Sequence, residues 1–293
     1  MACFKPLRAF KLSDGSVVFS ERGDIVANLW LPCGSCVGCR MESARQWSVR
    51  IMHEASLYEN NCFITLTYDD LHMPADHGLH YGDFQAFMRD LRRTDKVRFF
   101  MCGEYGSLRL RPHFHACLFG VDFPDLVPWK RTDSDGLIYR SARLEKLWPK
   151  GFSSVGELTA KSAAYVARYS LKKKSGKFYA AMYDYLDEST GEIFHRVPEF
   201  VRMSLKPGIG RGFFDKYHND IFPHDRVIVN GTSQKPPKYY SRLFQFLNPD
   251  SYEDLQFARY LKGLKFSSDN SDDRLSVREQ VVKARISHLK RGL

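Results

Sequence analysis

The spacing of apolar positions changes several times along the chain, and each change marks a predicted element. From Arg40 to about Tyr58 they recur at Met41, Ala44, Trp47, Ile51, Ala55 and Tyr58. Steps of three and four put such residues on one face of an α-helix. Cys62–Tyr68 (CFITLTY) instead mixes β-branched and aromatic residues in a short run, the composition of a strand. Phe84, Phe87, Met88 and Leu91 restore the helical spacing, with Asp83 available as a cap. Val97–Tyr105 and His113–Phe119 read as two strands, and the segment 106–112 between them is short enough for a hairpin. Residues 160–173 (AKSAAYVARYSLKK) predict an alanine-rich helix capped by Thr159. The turn Glu188-Ser-Thr-Gly191 predicts another hairpin, Lys206–Gly210 a loop and Gln234–Lys238 a linker. Two helices follow, at about 251–264 and 274–290.

This order of elements predicts an α+β fold, an antiparallel sheet of about five strands with flanking helices. An N-terminal Cys-rich segment and a basic C-terminal helical region extend it. The expected divisions are 1–61, a Cys-rich segment and helix packed on the catalytic domain; 62–233, that domain; and 234–293, the extension. No apolar run approaches the ~20 residues of a membrane-spanning helix. The N-terminus, MACFKPLRAFKLSDG, lacks the apolar stretch of a secretory signal, so an intracellular protein with no membrane partner is expected.

Charge narrows the partner. The 293 residues carry 44 Lys and Arg against 34 Asp and Glu, a net charge of +10. Residues 226–293 hold 13 of the basic residues against 7 acidic ones. Such a surplus suits a polyanion such as nucleic acid, and the tail with its Tyr239–Tyr240 pair is expected to hold DNA or contact host replication proteins.

Candidate chemistry concentrates in EYGSLRLRPHFHACLF, residues 104–119. Alternate strand residues share a face, so His113 and His115 project together as a pair of metal ligands, or as two hydrogen-bonded sheet histidines. Glu104 on the preceding strand can complete a two-histidine, one-carboxylate site, with Asp69 and Asp70 as rivals. Imidazoles favour manganese or zinc on softness, and magnesium is abundant in cells. Tyr165 and Tyr169 are spaced to share a helix face, with Lys172 and Lys173 one turn further on. A phenol needs help to attack a phosphodiester, because its ordinary pKa is about 10. A divalent cation and nearby lysines supply that help.

Seven cysteines, an odd number, argue against a disulfide framework. Cys33, Cys36 and Cys39 have CxxCxxC spacing, and Cys3 offers a fourth thiolate for a structural zinc. An iron–sulfur site and free thiols are the alternatives.

Together these motifs resemble the HUH endonucleases that initiate rolling-circle replication of single-stranded DNA. Phe63–Tyr68 resembles their first motif, Pro112-His-Phe-His115 the metal-binding second, and Tyr165–Lys173 the third in its two-tyrosine form. The likeness is greatest to initiators of Microviridae of the gokushovirus type, which share an early Cys-x-x-Pro (Cys3–Pro6), PCGxCxGCR (Pro32–Arg40) and GEYG…RPHFH (Gly103–His115). The resemblance implies a metal on one sheet face and a tyrosine helix across it. It implies Mg2+ or Mn2+ as cofactor, Tyr165 and Tyr169 as nucleophiles, and Lys172 and Lys173 assisting. Thr65, Thr67, Tyr68, Arg111 and Arg168 are the residues expected to hold DNA. The implied substrate is single-stranded or supercoiled origin DNA, nicked through a 5′-phosphotyrosine link and religated. A host helicase or polymerase would be a partner, and the host bacterial cytoplasm the location. Two other readings remain open: a non-catalytic origin-binding module, and a zinc hydrolase built on His113, His115 and Glu104.

Overall fold

A computed structural model describes residues 3–106, 110–132, 136–169, 183–187 and 190–288, without the side chain of Tyr169. Lys172 and Lys173 lie outside the described residues. The chain divides into two compact units, Met1–Ser43 with Gln245–Leu293, and Ala44–Phe244.

In the first unit, β1 (Leu7–Leu12) pairs antiparallel with β2 (Val17–Val18) and β3 (Ile25–Leu31). Helix α1 (Val37–Ala55) starts here and continues into the second unit, where Ala44, Ile51 and Ala55 join a core as their spacing predicts.

The second unit is built on seven described strands, β4 (Asn61–Tyr68), β5 (Arg98–Tyr105), β6 (Pro112–Phe119), β7 (Val127–Thr132), β8 (Gly136–Arg140), β9 (Gly151–Glu157) and β12 (Phe200–Met203). They form one antiparallel sheet in the order β12-β5-β6-β4-β9-β8-β7. The α+β class and the antiparallel sheet agree with the sequence, and β7, β8 and β9 widen that sheet beyond the five strands expected. Two short ladders accompany it, β10 (Asp184–Leu186) with β11 (Ile193–His195), and β13 (Val227–Val229) with β14 (Thr232–Gln234).

Period two decides which side chains face which way. Along β4, Cys62, Ile64, Leu66 and Tyr68 are buried, while Phe63, Thr65 and Thr67 on the other face are half-buried. The first face packs with Phe114 and Leu118 against α2 (Tyr81–Leu91), through Phe84, Phe87, Met88 and Leu91. Leu144 of α3 (Ala142–Leu147) and Trp148 extend that core. Burying each large side chain is worth roughly 1.5–3 kcal/mol. The opposite face carries Phe100, Cys102, Cys117 and Phe119 beneath α1 and α4 (Ala160–Tyr169). Ala163, Val166 and Ala167 make that contact, and two alanines let the helix lie close to the strands.

Thr159 caps α4 as expected. Its hydroxyl accepts from the Ser162 amide at 3.3 Å, and the Ser162 hydroxyl accepts from the Thr159 amide at 2.8 Å, a reciprocal capping box. Asp83 does not cap α2. The helix starts after His80, which leaves Asp83 in its first turn, where its carboxylate accepts the Tyr68 hydroxyl at 2.7 Å and faces Lys150 at 3.3 Å. At Gly151 (φ +144°) any Cβ would collide with the backbone of Thr67 and Asp69, so glycine lets β9 pair to the end of β4.

The segment predicted as a linker is docked. Arg45 donates to the Lys235 carbonyl at 2.9 Å, and the Lys238 amide donates to Gln46 Oε1 at 2.9 Å. It leads into α6 (Lys238–Leu247), which packs beside the preceding helix α5 (Arg211–Ile221): Tyr240 is fully buried, its ring centroid 5.9 Å from that of Phe214, and Phe244 stacks on Phe222 at 4.1 Å. Tyr239 stacks on Arg50, 3.9 Å from the guanidinium carbon. Tyr240 is therefore a core residue, not a DNA contact. The two C-terminal helices, α7 (Pro249–Leu264) and α8 (Asp272–Ser287), belong to the first unit and match the sequence reading within a few residues.

Candidate active site

Strand register builds the site. Glu104 on β5 lies opposite His113 on β6, and His113 lies opposite Thr67 on β4. One row along, His115 lies opposite both Cys102 and Thr65. Cross-strand partners share a face, so Glu104, His113, His115, Thr65 and Thr67 all project on the side covered by α4.

Three donors converge on one oxygen. Glu104 Oε1 lies 2.7 Å from His113 Nε2, 2.9 Å from His115 Nε2 and 2.8 Å from the Tyr165 hydroxyl. Burial alone would raise the Glu104 pKa, but the hydrogen bonds to His113 and His115 outweigh it and hold the carboxyl at about 2. Its other oxygen, Oε2, is buried without a hydrogen-bond partner. The far side of each ring is held as well. His113 Nδ1 lies 3.0 Å from the Arg111 carbonyl, and His115 Nδ1 lies 2.9 Å from Thr65 Oγ1.

These contacts fit a cation. A carbonyl only accepts, so His113 Nδ1 carries the proton, and in the neutral ring the Nε2 lone pair is aimed at a carboxylate oxygen. Two electron-rich atoms facing each other at 2.7 Å, beside an orphaned carboxylate oxygen, make a site that a positive ion would relieve. The ligand atoms of Glu104, His113 and His115 all lie within 4.8 Å of one another. The rivals for the third position are engaged elsewhere: Asp69 accepts from His72, and Asp70 pairs with Arg111.

Tyr165, half-buried on α4, meets His115 edge to face at 5.1 Å, and the Arg168 guanidinium carbon lies 5.8 Å from the Tyr165 ring centroid. Tyr169 ends the helix. Of the residues expected to hold DNA, Thr65 and Thr67 lie on the metal face and Arg168 beside Tyr165. Arg111 donates to the Tyr68 carbonyl at 2.9 Å. Tyr68 points into the opposite core and is fully buried, so it has no ring face to offer a base. Thr65 as the partner of His115 was not evident from sequence; its place two residues before Thr67 in an alternating strand is the only signal of it.

A second cluster lies in the first unit. Cys36 and Cys3 Sγ are 3.9 Å apart, Cys33 and Cys39 Sγ 4.0 Å, and all four sulfurs lie within 4.8 Å of one another. A disulfide needs about 2.05 Å. A tetrahedron with metal–sulfur bonds of about 2.3 Å instead has edges of roughly 3.8 Å. Backbone amides point at the sulfurs, Phe4 to Cys36, Cys33 to Cys3, Cys36 to Cys33 and Cys39 to Cys36, at 3.3–3.4 Å. That is the arrangement thiolates require.

A protein-family model for the replication-associated protein ORF2 matches residues 61–174, which span β4 to α4. The chain is 30% identical over 312 residues to replication-associated protein ORF2 of Spiroplasma virus 4, covering 97% of this chain and 91% of that one. Replication-associated protein VP4 of Bdellovibrio phage phiMH2K is 28% identical over 284 residues, with 92% and 86% covered. Replication-associated protein ORF4 of Chlamydia phage 1 is 30% identical over 246 residues, with 79% and 58% covered. The chain belongs to this family of phage replication-associated proteins. No solved structure matches it. No described helix is long and apolar enough to cross a membrane.

Proposed function

We propose that the protein is a metal-dependent tyrosine endonuclease that initiates rolling-circle replication of a small single-stranded DNA phage in the host cytoplasm. The observation that carries this reading is the convergence of His113, His115 and Tyr165 on one oxygen of Glu104. Glu104, His113 and His115 would hold Mg2+ or Mn2+, which when bound polarises the scissile phosphoryl group and offsets its developing charge. Thr65 and the Arg111 carbonyl fix the two imidazoles so that both Nε2 atoms face inward.

Tyr165 presents its oxygen at this centre, with its proton directed to Glu104 Oε1. The tyrosine oxygen attacks phosphorus, the bond to the 3′ oxygen breaks and that oxygen leaves as a hydroxyl that primes synthesis. The phosphate stays esterified to tyrosine on its 5′ side. Tyr169 serves as the second nucleophile when the origin is regenerated, and the released 3′-hydroxyl then attacks the first phosphotyrosyl bond and closes the circle. Lys172 and Lys173 neutralise the phosphate, and Arg168 sits beside Tyr165 for the same task. Residues 62–233 form the endonuclease domain, and a host helicase or polymerase extends the primer. Cys3, Cys33, Cys36 and Cys39 bind a structural zinc.

The test is cleavage of circular origin-containing single-stranded DNA by the full chain with and without Mn2+. Metal-dependent linear product is expected. Salt-sensitive binding without cleavage would make the protein an origin-binding module instead.

A further inference from the structure

The sheet face that carries the metal ligands continues past α4 on its β9 side. Register sets Phe152 opposite Thr67 and Ser154 opposite Thr65, which places both on the same face as His113 and His115. Glu104, His113, Thr67 and Phe152 therefore form one row across β5, β6, β4 and β9. With strands about 4.8 Å apart, Phe152 stands roughly 10 Å from His113 along that row. Where Phe100, Cys102, Cys117 and Phe119 meet α1 and α4 this face is sealed. Here it is open.

The open part is a groove lined by Thr65, Thr67, Phe152, Trp129, Lys130 and Arg140. Phe152 is 64% exposed and Trp129 54%, large aromatic surfaces that a strand would ordinarily bury. Cations accompany them. Lys130 Nζ lies 4.2 Å from the centre of the Trp129 ring, and Arg140 is held by Glu145 at 2.7 Å on the exposed side. No acidic side chain lines the groove among the described residues. Exposed rings beside ammonium and guanidinium groups suit a polyanion with accessible flat faces. A duplex hides its base faces in the stack, whereas a single strand offers them.

We infer that this groove is a single-stranded DNA track leading to the metal face, in which Trp129 and Phe152 stack on bases and Lys130 and Arg140 take the phosphates. The inference rests on the endonuclease reading for its substrate, and it adds a binding surface on β7, β8 and β9. It also gives the two edge strands a purpose that packing alone does not, because Trp129 and Phe152 contribute little to either core.

The test measures binding without cleavage. The full chain is titrated, with no added divalent cation, into a fluorescein-labelled 15-residue oligothymidylate and into a blunt duplex of the same length, followed by anisotropy. Trp129→Ala and Phe152→Ala should each weaken single-strand binding roughly 5- to 100-fold. Duplex binding should stay unchanged, and Trp129→Phe and Phe152→Tyr should restore most of the single-strand affinity. Trp30→Ala, which removes another exposed aromatic from the first unit, should have no effect. Unchanged single-strand affinity in both alanine variants, or an equal loss on duplex, would overturn the track. Binding that depends on Trp129 while the protein forms no covalent product would sink the nuclease reading and leave the track standing. Covalent product with binding indifferent to both rings would do the reverse.

Discussion

Replacing Thr65 with valine isolates one hydrogen bond behind the metal ligands. Thr65 Oγ1 lies 2.9 Å from His115 Nδ1, and His115 is buried, with only 9% of its surface exposed. Valine keeps the shape of threonine but leaves Nδ1 facing a methyl group. A buried polar atom that loses its partner costs about 1–3 kcal/mol. The bond also fixes the ring orientation that aims Nε2 at the site, so much of this cost falls on the metal-bound state. Loss of such outer partners typically weakens metal affinity about 10- to 100-fold. Thr65→Val should therefore raise the Mn2+ dissociation constant at least tenfold, by isothermal titration or by electron paramagnetic resonance of free Mn2+. Thr65→Ser, which keeps the hydroxyl, should bind like the wild type, and His113→Ala should abolish binding. Thermal unfolding without metal checks that the variants remain folded. Wild-type Mn2+ affinity in folded Thr65→Val would refute the ligand role of His115 as described.

Three further outcomes are expected. Zinc analysis should find about one ion per wild-type chain and almost none in Cys36→Ser; equal zinc in both would exclude the four-cysteine site. His53 is buried between Phe213 and Tyr240, and burial lowers its pKa to about 4. The unfolded chain takes up this proton first as pH falls below about 6.5, so the stability held by the neutral ring is present above that pH and is lost towards pH 4. Urea titrations should show about 3 kcal/mol lost across this window in the wild type and a flatter profile in His53→Gln. Phe244→Ala, which removes the ring stacked on Phe222, should destabilise the protein by about 3–5 kcal/mol. Truncation before residue 236 should do more damage than truncation after Leu247, because only the former removes Tyr240 and Phe244 from the larger unit.

Period and residue type carried most of the central sheet. The two-residue alternation of Cys62–Tyr68 and the His-Phe-His triplet place side chains on definite faces because a strand has one geometry. Glu104 was legible as a ligand for the same reason, once β5 and β6 pair directly across a short connection. Register across β4 was not legible, since nothing local to Thr65 says which strand lies beside it. Residues 127–157 were read as loop because Pro, Asp and Lys break the alternation, and Phe152 and Trp129 are exposed where a strand pattern would ask for burial. Tyr68 and Tyr240 misled in the opposite direction. Their rings look suited to DNA, but the phenol of Tyr68 finds Asp83 and that of Tyr240 finds His53, and both rings fill cores. The docked 234–238 segment depends on Arg45 and Gln46, nearly two hundred residues earlier, contacts that composition cannot reveal.

The most direct measurement is to incubate the full chain with circular origin DNA and Mn2+, then resolve the products under denaturing conditions beside Tyr165→Phe, Tyr169→Phe and the double variant. A nuclease using both tyrosines gives a covalent protein–DNA adduct that maps by mass spectrometry to Tyr165 or Tyr169 and disappears only in the double variant. An adduct that survives the double variant, or DNA binding with no adduct in the wild type, would contradict the assignment of these tyrosines as nucleophiles.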